Sequence, residues 1–319
     1  MLIKKADDRS ADIEILKALS ARPDVSQDIR RLIDREVRNI QSGIRGEAEA
    51  AYEMEFHYGA SKNWVIIHDL RLECNGRSAQ IDHLLINRFL EIYVCESKRF
   101  SEGVAVNEQG EFSAFFGSKP YGIPSPLEQN RRHMAVLESI FKTGLVAPPK
   151  RLGFTITPSL QGLVLVSKTA RISRPKAKID GIETIIKNDQ LKAKIDRNID
   201  KDNNILGAAK IVGQDTLEDF ALRLVTAHKP IQFDWLAKFG LPAVAPPPAQ
   251  AQVKGVAPPQ EDAPSASSVE LTGERKSKLV CSSCEAVVAY NVAKFCWFNK
   301  PRFGGKVFCM ECQKAIPNP

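Results

Sequence analysis

No stretch of this chain approaches the ~18 consecutive apolar residues that a membrane-crossing helix needs, which argues against a transmembrane protein. The opening MLIKKADDRSADIE has two lysines but no apolar core behind them, so it does not read as a secretory signal. No segment repeats, which sets solenoid architectures aside. With neither span nor signal, a soluble cytoplasmic protein is expected, whose seven cysteines stay out of disulfides in a reducing compartment. What remains is ordinary globular material, 43% hydrophobic and 26% charged, with room in 319 residues for two or more domains. The net charge of +7 permits contact with nucleic acid without establishing it.

The chain divides by composition. Residues 8–58 have helical periodicity, interrupted at Pro23 and around Gly43 and Gly46, with Ser26 placed to cap the main segment. A strand, WVIIHDLRL (64–72), and an apolar hairpin follow. Residues 101–124 read as a polar, glycine-containing connection, and Pro126 opens a helix that runs to Phe141. Residues 160–167 and 182–186 are strand-like; 188–198 and 215–227 are helical. This order fits a mixed α/β sheet flanked by helices. Residues 242–275 are rich in Pro, Ala and Ser with no aromatic residue, the composition of a disordered linker. The expected organisation is an N-terminal helical region (1–40), an α/β domain (41–241), the linker (242–275) and a small metal-stapled domain (276–319).

Chemistry concentrates in the hairpin AQIDHLLINRFLEIYVCESKRF. Strand alternation puts Asp82, Leu84 and Ile86 on one side, and Ile92, Val94, Glu96 and Lys98 on one side of the next run. Pairing about residue 89 sets Ile86 against Ile92, Leu84 against Val94, and Asp82 against Glu96. Directly opposed like charges, with Cβ atoms about 4.5–5.5 Å apart, are destabilising. A hard cation such as Mg2+ or Mn2+ would relieve them. Lys98, about 6.6 Å beyond Glu96 on the same face, is placed to hold and polarise a water there. The bland alternative is a solvated Glu96/Lys98 pair ending an edge strand, with Asp82 as a strand cap. His83 points to the other face and reads as structural, and Cys95 packs on that face too.

The pattern D-x13-E-x-K resembles the PD-(D/E)XK nuclease superfamily, and its surroundings resemble the nuclease-related domain family over roughly residues 40–140. The matching pieces are GIRGEAEA (43–50), QIDHLLI (80–86), YVCESK (93–98) and SPLEQNRRH (125–133). One departure is that Ile81 stands where the superfamily's eponymous proline would be. The resemblance implies a restriction-endonuclease-like mixed sheet, with Asp82 and Glu96 as metal ligands and Lys98 as the catalytic lysine. It also implies that Glu47, from the helix preceding the sheet, and Gln129, from the helix following it, belong to the site. The implied activity is a Mg2+-dependent phosphodiesterase acting on DNA, or on RNA. The alternatives are a nuclease-like nucleic-acid-binding or partner-recruiting protein without activity, and a zinc-ribbon adaptor.

After the linker come Cys281-x2-Cys284 and Cys309-x2-Cys312, two knuckles 24 residues apart, the spacing of a zinc ribbon. A segment this short cannot stand on its own core, so a structural Zn2+ on four thiolates is expected. Cys296, midway between the knuckles, reads as a core thiol. Residues 271–319 carry eight Lys/Arg against three Asp/Glu. Lys294, Trp297, Lys300 and Arg302 interleave bases with aromatics, which suits stacking on nucleobases beside phosphate contacts. This module resembles the topoisomerase-type ribbons found behind nuclease-related domains.

Overall fold

The computed structural model describes residues 1–100, 102–116, 119–151, 153–201, 211–242, 279–284, 286–288, 292–293, 296–297 and 299–317. The expected linker, apart from Pro242, lies outside the described residues. The chain forms two compact units, Met1–Pro247 and Pro248–Pro319.

Among the described residues of the first unit, six strands form the main sheet: β1 (Leu2–Lys4), β2 (Trp64–Cys74), β3 (Arg77–Asn87), β4 (Glu91–Lys98), β10 (Ser159–Val166) and β12 (Ile185–Lys187), in the order β1-β2-β3-β4-β10-β12. Strands β2, β3 and β4 are antiparallel neighbours, whereas β1/β2, β4/β10 and β10/β12 run parallel. The sheet is therefore mixed. Residues Ile92–Glu96 of β4 are buried, as befits a central strand covered on both faces.

Helix α1 spans Ser10–Ser20 and α2 spans Gln27–Tyr58. The Ser26 side chain accepts a hydrogen bond from Ile29 N and so caps α2. This helix continues unbroken through Gly43 and Gly46, so the expected boundary at residue 40 falls inside it. Its first half packs Ile33, Val37 and Ile40 against Leu16 and Leu19 of α1 and against Trp235 of α6 (Trp235–Phe239). Its second half lays Ala50, Met54 and Tyr58 on Ile66, Leu85, Tyr93 and Cys95 of the sheet, beside Leu191 and Ile195 of α4 (Leu191–Lys201). Stable packing of both halves outweighs the roughly 1 kcal/mol that an interior glycine costs a helix.

The opposite face is covered by α3 (Pro126–Thr143) and α5 (Gln214–Thr226). Val136, Leu137 and Ile140 of the former and Leu217, Phe220 and Leu224 of the latter pack on Leu84, Ile86, Ile92 and Val94. α3 has clear local signals: Ser125 caps it, Pro126 starts it, and Gly144 at φ 75° ends it in the left-handed conformation. It lies close on β10, since a Cβ at Gly162 would come 3.0 Å from the Asn130 amide.

The connection expected over 101–124 is instead β5 (Gly103–Val106), β6 (Phe112–Phe116) and β7 (Lys119–Ile123). With β11 (Arg171–Ser173) they form a second sheet ordered β11-β5-β6-β7. Val104, Val106, Phe112 and Ala114 are among its buried residues, short apolar runs that local composition concealed. A two-residue hairpin, β8 (Lys150–Arg151) and β9 (Phe154–Thr155), completes the strands described. The segment 182–186 is half 3-10 turn and half strand β12.

In the second unit, short helices α7 (Lys300–Phe303) and α8 (Met310–Lys314) accompany an isolated bridge between Val280 and Val287. Cys281, Val288, Ala293 and Val307 form its small core.

Candidate metal centres and active site

The register of the hairpin is Ile86↔Ile92, Leu84↔Val94 and His83↔Cys95, and the paired stretch ends there. β3 continues with β2, and β4 continues with β10 as far as Val166↔Lys98. The two strands thus part where Asp82 and Glu96 were expected to oppose each other. The Asp82 carboxylate bridges the gap and accepts a hydrogen bond from Ser97 N at 2.7 Å.

A second irregularity meets it from β2. His68↔His83 and Leu70↔Ile81 are paired, but Asp69, which stands between them opposite Asp82, is turned to φ 54°. Alternation slips on both strands here: Leu70 and Ile81 join the same core as Ile67 and Leu84. Asp69 is held in this uncommon conformation by accepting from Asp7 N at 2.9 Å and from the Gln80 amide.

Glu96 is buried, at 1% exposure. Its Oε1 lies 2.6 Å from Lys98 Nζ. Its Oε2 faces His133 Nδ1 at 3.4 Å, and neither of those atoms has a hydrogen-bond partner among the described residues. Gln129 sits one turn earlier on α3, partly buried, and leaves Glu96 Oε2 unsatisfied. His133 is an α3 side chain that faces Glu96. It lies four residues after Gln129, hence on the same helix face, and nothing in the sequence marked it as a neighbour of Glu96. Asn130 is a further residue that sequence reasoning passed over: buried, it donates to Val94 O at 2.9 Å and Leu163 O at 3.1 Å, tying β4 to β10.

Glu47, partly buried on α2, completes the group. Gly46 lets the helix approach, because a Cβ there would come 3.0 Å from the Arg99 Cβ, just past Lys98. Burial raises the Glu47 carboxyl, and the charges of Asp69 and Glu96 add to that. Burial likewise holds the Asp82 carboxyl well above its ordinary value, reinforced by Glu96 and Glu47. Negative charge is thus under-compensated, Lys98 being spent on Glu96. An unsatisfied buried carboxylate oxygen beside two carboxyls that resist ionising suits a hard divalent cation. Asp82, Glu96 and Glu47 would be the oxygen donors to such an ion.

Among the described residues, one set of His, Cys, Asp or Glu brings three or more ligand atoms within 4.8 Å of one another: Cys281, Cys284, Cys309 and Cys312. Cys284 and Cys309 sulfurs are 3.6 Å apart. Burial opposes ionisation of Cys281, yet the backbone N–H groups of Cys309, Ser283 and Cys284 bring its thiol down to about 6. The set is compatible with a zinc ribbon. Cys296 lies outside it, accepting from Phe308 N at 3.3 Å and Gln313 Nε2 at 3.2 Å in the interior.

Residues 42–161 match the family described as Nuclease-related domain. This chain carries a nuclease-related domain. No curated protein and no solved structure matches the chain. The nuclease-related match takes in Glu47, Asp82, Glu96, Lys98 and Gln129, and with them His133. The main sheet uses β10, β12 and α5 as well, mostly beyond it. Among the described residues, no helix is long and apolar enough to cross a membrane.

The expected nucleic-acid contacts in the second unit fare unevenly. Lys294 lies outside the described residues, as does the side chain of Lys300. Trp297 is 36% exposed. Arg302 turns inward, donating to Gln313 O at 2.8 Å and Ile316 O at 2.6 and 3.0 Å, which commits its guanidinium to the end of the chain rather than to phosphate.

Proposed function

We propose that this protein is a divalent-metal-dependent nuclease that hydrolyses phosphodiester bonds, with DNA as its first substrate class and RNA as the second. The observation that carries the reading is the buried, unsatisfied Glu96 Oε2 beside the raised Asp82 carboxyl in a nuclease-related domain. Asp82, Glu96 and the Ser97 carbonyl would hold Mg2+ or Mn2+, with Glu47 as an additional donor. When bound, such an ion supplies Lewis-acid polarisation of a phosphoryl oxygen and acidifies attacking water.

The chain's own residues do the rest. Ser97 N fixes one Asp82 oxygen, so that the other is free to bind. The Lys98 ammonium, now on Glu96 Oε1, would turn part of its charge to the phosphate as negative charge develops. Gln129 and His133 approach from α3 and would position the substrate end of this arrangement. In the second unit, Zn2+ on the four cysteines would hold the fold together. Lys294, Trp297 and Lys300 would then add nucleic-acid contacts, raising the local concentration of substrate at the nuclease-related domain.

The test is cleavage of labelled linear, circular and single-stranded substrates with Mg2+ and with EDTA. Lys98→Ala is expected to lose on the order of 10²-fold or more in cleavage rate, as for removal of a preorganised charge, with nucleic-acid binding retained. Undiminished cleavage by that variant contradicts the mechanism. A nuclease-like nucleic-acid-binding protein without activity is the second reading. It is favoured by the lack, among the described residues, of any three carboxylates with mutually close oxygens. It predicts no divalent-dependent cleavage by the unaltered protein.

A further inference from the structure

Beneath the carboxylate site, on the opposite face of the sheet, polar groups are linked across three strands. Ser97 lies between Glu96 and Lys98, and alternation sends its side chain to that face. Its Oγ is 2.8 Å from His83 Nε2. His83 Nδ1 is in turn 2.8 Å from His68 Nδ1, directly across the β2/β3 pair, with the rings nearly perpendicular at 88°. His68 Nε2 lies 3.3 Å from Glu55 Oε1 on α2, a charge contact without hydrogen-bond geometry. Both imidazoles are buried, at 1% and 2% exposure, while the Glu55 carboxylate is half exposed at the helix surface. Buried polar groups in an apolar sheet interior are costly unless their hydrogen bonds are satisfied in one consistent pattern.

Proton counting fixes that pattern. Two Nδ1 atoms 2.8 Å apart share one proton. The Glu55 carboxylate favours a proton on the facing His68 Nε2 by charge, although the two do not meet in hydrogen-bond geometry, and that leaves His68 Nδ1 bare as an acceptor. His83 must then carry its proton on Nδ1 and present a bare Nε2, so Ser97 Oγ–H donates to it. Ser97 is in this way held from both faces: its amide by Asp82 and its hydroxyl by His83. These contacts take over where the β3/β4 pairing stops at His83↔Cys95.

We propose that His83, with His68 and Glu55 behind it, is a positioning residue that locks the Glu96-Ser97-Lys98 segment in place through a relay with one fixed hydrogen-bond direction. The catalytic consequence rests on the nuclease reading; the relay itself does not.

Two measurements on the full chain test it. In protein labelled with 15N at its five histidines, long-range 1H–15N spectra should show His83 as the Nδ1–H tautomer and His68 as the Nε2–H tautomer. In cleavage assays, Ser97→Ala should lower kcat about 10–100-fold with KM little changed, the range found when partners orienting metal-site groups are removed. Ser97→Thr, which keeps the hydroxyl, should recover most of the loss, and His83→Leu should match Ser97→Ala. Should His83→Leu fail to fold, the serine pair still decides. A His83 Nε2–H tautomer overturns the relay, and Ser97→Ala cleaving at the wild-type kcat overturns the positioning role. If the unaltered protein cleaves nothing, the nuclease reading fails instead, and the histidine spectrum alone decides whether the relay exists.

Discussion

The carboxylate cluster of the first unit and the cysteine cluster of the second both gather groups of like charge, and they manage that charge in opposite ways. The four sulfurs come from two short knuckles, all within 4.8 Å of one another, with backbone N–H groups lowering Cys281 and neighbouring sulfurs raising Cys312 to about 12. The carboxylates come from α2, β3 and β4, and the protein compensates them only in part: Lys98 on Glu96, the Ser97 amide on Asp82, and burial that favours the protonated form. On the proposed reading, the difference is between a metal that would make a fold and a fold that would receive a metal. Removing the ion should unfold one site and leave the other standing.

That contrast breaks most easily at the cysteines. Stripping zinc, or Cys309→Ser, should abolish the structure of the second unit, where structural zinc sites are worth roughly 10–16 kcal/mol of apparent binding energy. Limited proteolysis should then cut within residues 279–317 while the first unit survives. Survival of both would show that the cysteines need no metal. A smaller effect is expected from Asn130→Ala, which leaves the frame between β4 and β10 without its buried amide. A loss of roughly 1–3 kcal/mol is expected, read as a lowered Tm of the first unit.

Asp82→Asn should act in the other direction. Asp82 and Glu47 have raised carboxyls, so their contribution to stability is complete below the unfolded carboxylate range and is lost as pH rises through the folded values. With zinc present and no hard divalent ion, the variant should therefore melt above wild type at pH 7.5. A gain of roughly 2–4 °C is what 1 kcal/mol gives a domain of this size. The gap should close as pH falls toward about 4, the ordinary carboxylate range. A variant less stable than wild type at neutral pH would mean that the charge is already compensated.

Much of the frame was legible beforehand because it rests on local or period-two signals. The registers Ile86↔Ile92 and Leu84↔Val94 follow from alternation around a three-residue turn, in which Asn87 Oδ1 accepts from Phe89 N and Glu91 N. Helix α3 was bounded by its own Ser-Pro start. The cysteine set was legible from spacing alone. Illegible were features settled by distant partners. The strands of the second sheet are three to five residues long and find their apolar neighbours across the fold. The break HD within WVIIHDLRL gave the one hint of the slip at Asp69, but a slip shared by two strands exists only once they pair. That slip turns Asp82 from a partner facing Glu96 into a bridge to the Ser97 amide.

The central claim is that Asp82 and Glu96 together hold a hard divalent ion. Titration calorimetry with Mn2+ on the zinc-loaded full chain tests it directly, comparing wild type with Asp82→Asn and Glu96→Gln. Saturable binding by wild type that both variants lose is the predicted result. Equal binding by all three, or no binding by wild type, would contradict the claim.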